Sequence, residues 1–354
     1  MKLIHCGDIH LDSRMESNLS GEKARERNVE ICATFTRMIR YGQDHGVKAV
    51  LITGDLFDTA RASVQTVQFV LDRIRDAQDM DFLYLRGNHD EADSFEGMEL
   101  PQNFKTFSNR WTAYRYGDVV ISGVEPENWE DFYDGLELNP KETNIVMLHG
   151  QTATQTGDEL ICLPKLRGKH IRYLALGHIH SYQQDKLDLE GQWCYSGCLE
   201  GRGFDELGQK GFVLLDVEKG KVKPEFVPFS GRTLEEVVVD ITGLTTVTQI
   251  LSAMEQAGSE IHSSSLVKFT FTGTHTLDTQ LDLPFLRKML ESRYYFVKIK
   301  DESHLDIAKE DYAHDISLKG EFIRMVLASN KSEEEKERII RFGIQALMGR
   351  EVEA

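Results

Sequence analysis

Nowhere in the 354 residues is there a run of about 18 or more apolar residues, so the sequence predicts no membrane-spanning helix. Basic residues fall short of acidic ones, 41 Lys and Arg against 58 Asp and Glu, for a formal net charge of -17. That shortfall argues against a broad basic surface for nucleic acid, although it does not exclude a nucleic-acid substrate. Cys6, Cys32, Cys162, Cys194 and Cys198 form no CxxC pair and no even framework, and reduced thiols in a cytoplasmic protein are the simplest reading. The stretch Met1 to Asp8 turns polar too early for a signal peptide. No repeat or low-complexity segment is present.

What is there reads as α/β. Over the first ~230 residues, short apolar strands alternate with longer amphipathic stretches, the pattern of a layered domain. The expected strands are Lys2–Cys6, Ala49–Thr53, Phe82–Arg86, Val119–Val124, Asn144–Leu148 and Tyr173–Leu176. A helix is expected from Gly21 to about His45 with Val29, Cys32, Phe35 and Ile39 inward. A second follows, with Val67, Val70, Leu71 and Ile74 at i, i+3, i+4, i+7. After residue 178, Gln192–Ser196, Gly211–Val217 and Val222–Val227 suggest antiparallel additions to the sheet. The character shifts near Pro228-Phe229-Ser230-Gly231, which divides a first domain, 1–230, from a small α+β domain, 231–302. The latter reads Glu235–Ile241, Val247–Gln256, Leu266–Thr272, Leu281–Leu290, Tyr294–Lys300. A tail, 303–354, holds helices over Leu318–Ala328 and Glu333–Met348, the second opened by a Ser332/Glu335 capping box.

Residues that bind metals stand where the expected strands run out into loops. Asp8-Ile9-His10 follows the first, and an i, i+2 pair in extended chain converges on one side. Gly54-Asp55-Leu56-Phe57-Asp58 follows the second; the glycine permits a sharp turn and one carboxylate there can bridge two cations. Gly87-Asn88-His89-Asp90 follows the third, offering a neutral oxygen ligand, a histidine beside it, and an aspartate placed to orient that histidine. His149-Gly150 and Gly177-His178-Ile179-His180 follow the later strands. Each alone is commonplace, with a structural histidine or a solvated turn as the ordinary explanation. Five in order, each at a strand's carboxyl end, is not coincidence. Two divalent cations at such a site would add about four positive charges where a phosphate must sit, and that local field outweighs the net charge.

The series DxH … GDxxD … GNHD … HG … GHxH, covering residues 8 to 180, resembles the calcineurin-like metallophosphoesterase signature. Within that superfamily the sequence resembles the SbcD family, bacterial relatives of the meiotic-recombination DNA-repair nuclease. The similarity lies in Ile4 to Ser13, in Gly54 to Asp58, in Tyr195-Ser196-Gly197-Cys198-Leu199-Glu200-Gly201-Arg202-Gly203-Phe204, and in Ile316 to Phe322 through the final helix. The resemblance implies a layered β-sandwich core flanked by helices, a small α+β capping domain and a helical tail. It implies one metal held by Asp8, His10, Asp55 and His180, and a second by Asp55, Asn88, His149 and His178, with Asp55 bridging. Manganese is the implied metal; hard oxygen and imidazole ligands without thiolate would also accept Fe, Zn or Mg. His89 is implied to face the phosphate as transition-state stabiliser or general acid. Some family members carry a second catalytic histidine where this sequence has Asp58, which is therefore read as a support for His89 or for a ligand.

Two cations about 3.5–4 Å apart clamp a phosphodiester and activate water for in-line attack. The resemblance supplies DNA ends and hairpins as substrate. It also implies a homodimer, and an SMC-like SbcC-type ATPase gripped by the C-terminal helices; the sequence has no Walker A motif, so ATP hydrolysis would come from that partner. Arg202, between two glycines, is the best candidate for a phosphate or DNA-backbone contact. Lys165, Arg167, Lys169 and Arg172 read mainly as a solvated face. Thr59-Ala60 after Asp58, and Asp90 ending the third element, do not fit protein phosphatases. A cyclic-nucleotide or lipid-precursor hydrolase would share the five elements, and a DNA-end or partner-binding scaffold with a degenerate site is the remaining alternative.

Overall fold

The computed structural model describes residues 1–15, 19–58, 62–90, 94–306 and 312–347. Thr59, Ala60 and Met348, named above, lie outside the described residues. The chain forms two compact units that divide between Thr233 and Leu234.

The first unit is built on two six-stranded sheets. In the first sheet, β1 (Lys2–Cys6) lies parallel to β2 (Val47–Thr53), followed by β3 (Asp81–Leu85) and β4 (Phe104–Thr106). The second sheet holds β5 (Thr112–Tyr116), β6 (Val119–Gly123), β7 (Thr143–His149), β10 (Ile171–Gly177), β12 (Gln192–Tyr195) and β11 (Gln183–Lys186), in that spatial order. A ribbon of β8 (Gln151–Ala153) and β9 (Leu160–Cys162) lies outside both sheets. β13 (Gly211–Glu218) and β14 (Lys221–Pro228) return to the first sheet antiparallel, β13 beside β1. The expectation of antiparallel additions holds for these two and fails for β12. The chain reverses through β11 and comes back between β11 and β10, so β12 runs parallel to β10.

Strand periodicity places the core. Leu3, Leu51, Leu83, Ile145, Met147 and Ala175 are buried together where the sheets face each other. Alternate residues of the first sheet, such as Ile4, Val50, Ile52 and Phe82, pack under helices α1 (Gly21–Asp44) and α2 (Val64–Asp76). On α2 the inward stripe is Val67, Val70, Leu71 and Ile74. On α1 the expected face is displaced: Val29 is exposed, and Arg27, Ile31, Thr34, Phe35, Met38, Ile39 and Gly42 are buried. Arg27 lies on this buried side, its guanidinium bonded to Glu200 (3.0 Å) and to the Gly201 carbonyl (2.9 Å). The short α3 (Leu163–Leu166) and its neighbours cover the outer face of the second sheet.

In the second unit, β15 (Leu234–Asp240), β16 (Leu266–Thr272) and β18 (Phe296–Asp301) form a parallel sheet. β17 (Thr274–His275) pairs with β19 (His304–Leu305). Helices α4 (Val247–Ala257) and α5 (Leu283–Leu290) bury Ile250, Met254, Leu286 and Leu290 against Val239, Phe269 and Phe271. The tail helices α6 (Leu318–Leu327) and α7 (Glu333–Leu347) pack on each other through Ile323, Val326, Ile340 and Ile344, with Leu277 and Leu305 alongside. The helices approach closely at Gly343, where a Cβ would lie 2.2 Å from the tip of the Phe322 ring and would displace it. The Ser332/Glu335 capping box closes reciprocally, with bonds of 3.2 and 3.1 Å. No helix among the described residues is long and apolar enough to cross a membrane.

Candidate metal centre

The loops after β1 and β2 continue side by side beyond the sheet. Asp8 N–H donates to Gly54 O, His10 N–H to Asp55 O and Leu11 N–H to Leu56 O, all within 3.0 Å. This pairing fixes Asp8, His10 and Asp55 on one rim. Their backbones are not extended, as the i, i+2 argument assumed. Asp8, His10, Asp55 and His178 all adopt positive φ, at 49, 50, 49 and 104°. Non-glycine residues reach that region only when their surroundings hold them there, at about 1–3 kcal/mol each, and such residues gather at functional sites. Here the holding groups are visible. His178 N–H donates to both Asp8 carboxylate oxygens (2.9 and 3.1 Å), and His89 N–H donates to Asp55 Oδ1 (2.9 Å).

All the ligand candidates converge. Ligand atoms of Asp8, His10, Asp55 and His180 lie within 4.8 Å of one another. His10 Nε2 is 3.2 Å from His180 Nε2 and 3.8 Å from Asp55 Oδ2. Beside them, His149 Nε2 is 2.9 Å from Asn88 Oδ1 and 3.5 Å from Asp55 Oδ2, while His178 Nδ1 is 3.3 Å from Asn88 Oδ1. Asp55 belongs to both groups. Outer ring nitrogens are engaged elsewhere: His180 Nδ1 with Glu206 at 2.7 Å, His10 Nδ1 facing Asp58 at 3.0 Å, His149 Nδ1 with the Thr53 carbonyl at 2.9 Å. Those partners accept, so the imidazole protons belong on Nδ1 and each Nε2 presents a lone pair inward. The interior is thus lined by acceptors facing acceptors. The donor set fits divalent cations.

Burial sets the charge state before any cation arrives. Burial raises the Asp8 carboxyl to about 6, the nearby His149 working against it and Asp55 adding to it. Burial also disfavours the imidazolium of His180, yet its hydrogen bond to Glu206 and the charge of Asp8 leave its pKa raised. Asp58 is opposed by burial too, but His10 and Arg202 bring it down to about 2.

The remaining candidates are placed as follows. His89 is exposed on the rim, its ring 5.1 Å from that of His10. Asp90 does not orient it in the expected way. Its carboxylate accepts from the backbone N–H groups of Leu56, Phe57 and Gly87 (3.2, 3.0 and 3.0 Å), stitching the second loop to the third. Arg202 turns to Asp58 and Glu206. Lys165, Lys169 and Arg167 bond to main-chain carbonyls, and Arg172 pairs with Glu190. Glu206 was not singled out from the sequence; nothing in a single acidic residue four positions after Arg202 marks it as buried. A cavity of about 280 Å³, lined in part by Asn88, His149, Trp129, Arg86 and Glu125, opens beside the second group.

Residues 1–182 match the calcineurin-like phosphoesterase family, described by that name. The chain belongs to this family. It is a metal-dependent phosphoesterase, and the Asp and His cluster just described is the candidate site for its metal. Among curated relatives, a metallophosphoesterase of Bacillus subtilis called YhaO and described as uncharacterized is 27% identical over 77% of this chain and 72% of its own. The DNA double-strand break repair protein Mre11 of Sulfolobus acidocaldarius is 30% identical over 53% of this chain. This chain spans 52% of that protein's length. A dimetal phosphatase from Danio rerio superposes with a TM-score of 0.39 and 13% identity, covering 61% of this chain and 92% of the other.

Proposed function

We propose that this phosphoesterase cleaves DNA phosphodiester bonds, as the nuclease subunit of an SbcCD-like complex. The observation that carries the reading is the pair of ligand groups sharing Asp55, with an exposed histidine, His89, on the same rim. Asp8, His10, Asp55 and His180 would hold one cation, and Asp55, Asn88, His149 and His178 the other. Bound there, divalent cations supply Lewis acidity at the phosphate and a lowered pKa for water. His89 acts from the open side, stabilising the phosphoryl charge or giving a proton to the leaving oxygen, while its main chain is tied to Asp55. DNA as substrate is supported by the relatives described as DNA double-strand break repair proteins. Manganese is the metal proposed, and a homodimer the assembly.

The same reading gives the tail its partner. The inner faces of α6 and α7 are spent on each other, but Ile316, Leu318, Met325 and Leu347 remain exposed. Leu318 and Met325 share one stripe at i, i+7, a suitable anchor for a coiled-coil groove of an SMC-like ATPase.

The test is digestion of end-labelled duplex and hairpin DNA with Mn²⁺, with and without the ATPase, beside cyclic nucleotides. Cleavage of DNA ends or hairpins, stimulated by the ATPase, is expected. Turnover of cyclic nucleotides with DNA left intact would overturn the nuclease reading and favour a small-substrate phosphodiesterase.

A further inference from the structure

Two of the histidines stand on carboxylates, one buried and one partly buried. Glu206 Oε1 accepts from His180 Nδ1 at 2.7 Å, and Asp58 Oδ1 lies 3.0 Å from His10 Nδ1. Arg202 joins these carboxylates. Its Nη1 pairs with Asp58, and its Nη2 and Nε reach Glu206 at 2.8 and 3.2 Å. The Arg202 main-chain N–H also donates to Glu206 Oε2 at 2.7 Å. The side chains are little exposed, 3% for Glu206, 18% for Arg202 and 19% for Asp58, so the guanidinium has scant surface left for a phosphate. From below, Lys210 Nζ donates to the His180 carbonyl at 2.8 Å. The second group has no such backing at His149, whose outer nitrogen meets the neutral Thr53 carbonyl.

We infer that Arg202, Asp58 and Glu206 form a charged clamp that positions His10 and His180, and that this makes the Asp8/His10/Asp55/His180 site the tighter of the two, filled first. The reasoning is electrostatic and geometric. A carboxylate behind a ligating imidazole fixes its orientation and strengthens its lone pair, and removing such a partner typically weakens metal binding about 10–100-fold. Asp58 and Glu206 each stand directly behind an imidazole of the first site, with Arg202 and Lys210 balancing their charge, whereas only a backbone dipole stands behind His149 in the second. Arg202 keeps two carboxylates close without mutual repulsion, and a bidentate guanidinium does this with fixed geometry. The inference rests on the two-cation reading of the site.

The experiment is calorimetric titration of the full metal-stripped chain with Mn²⁺ alone, with melting curves run in parallel. Wild type is expected to bind two ions in resolved steps. Glu206→Gln and Asp58→Asn should weaken the tighter step about 10–100-fold and leave the other within about threefold. Arg202→Ala should act likewise, and Arg202→Lys should recover part of the loss, which mere bulk at that position would not explain. His149→Ala, by contrast, should erase the weaker step. Variants that fold and bind both ions as wild type does, or that weaken both steps equally, would overturn the clamp. A wild type that binds fewer than two ions would instead bring down the two-cation reading itself.

Discussion

Replacing Gly177 by alanine is expected to pry apart the two sheets directly beneath the ligands. An ideal Cβ at this position would stand 1.8 Å from the Thr53 carbonyl oxygen and 2.9 Å from His149 Nδ1. That carbonyl is main chain, and it is the group His149 leans on, so it cannot swing aside as a flexible side chain would. Relief requires the ends of β2 and β10 to separate, an overpacking penalty of about 1–3 kcal/mol. Losing the buried His149–Thr53 bond adds about 1–3 kcal/mol. With roughly 4 kcal/mol in all, and about 2–4 °C per kcal/mol for a unit of this size, the apoprotein should melt roughly 8–16 °C lower. Scanning calorimetry measures this, and elemental analysis measures the metal that goes with it. Gly191→Ala is the control: its Cβ would stand 1.9 Å from the Ile171 carbonyl, an equal clash at the far end of β10. It should lower the melting temperature and spare metal content. If Gly177→Ala melts with the parent, or loses no more metal than Gly191→Ala, the reasoning is refuted.

His89→Ala should reduce phosphodiester turnover about 10²–10⁴-fold while elemental analysis still finds close to two ions, because His89 stands outside both proposed ligand groups, although it lies near His10 and Asp58. Loss of metal with normal turnover per ion would show that it is a ligand. Asp55→Asn should empty both sites and His10→Ala mainly one; equal stoichiometry in the two variants would rule out a shared carboxylate. Metal uptake should release more protons at pH 5.5 than at pH 8, because Asp8, raised to about 6, and His180, also raised, are protonated before the cation displaces the proton. Affinity should therefore fall as pH drops through about 6, and calorimetry in buffers of different ionisation enthalpy reads the proton count directly. A doubly substituted Leu318→Asp, Met325→Asp chain should melt with the parent yet fail to co-purify with the ATPase; retained binding would place the docking surface elsewhere.

Strands β1, β2, β3, β7 and β10 are legible because each is a short apolar run ending in a loop with Gly, Asp or His. Their division between two sheets is not, since residues such as Leu51 and Ile52 are apolar toward both faces and carry no mark of which layer they meet. β11 is Gln-Gln-Asp-Lys, exposed throughout, and has no periodicity to read. At the site, the loop residues that converge are legible from their order alone. The positive φ of Asp8, His10, Asp55 and His178 is invisible because nothing but the surrounding structure imposes it on a non-glycine residue. Arg27 and Glu206 mislead in the same way: a charged residue reads as exposed until its partner, distant in sequence or reached through a loop, is in place.

Each of the two ligand groups draws from both layers of the sandwich. Asp8, His10, Asp55 and Asn88 follow strands of the first sheet, while His149, His178 and His180 end or follow strands of the second. A cation in either group would be a rivet through two plates that otherwise adhere by side-chain packing and a few hydrogen bonds such as His149 to Thr53. The spacing between rivets is then set by the filling between the plates, by Ala49, Leu51, Met147 and Ala175, far from any phosphate. Core substitutions there are expected to detune the chemistry without touching it. Conversely, filling the sites at 100 times their dissociation constant would stiffen the sandwich by about 2.7 kcal/mol per ion, so a chelator would act on this enzyme as a mild denaturant as well as an inhibitor.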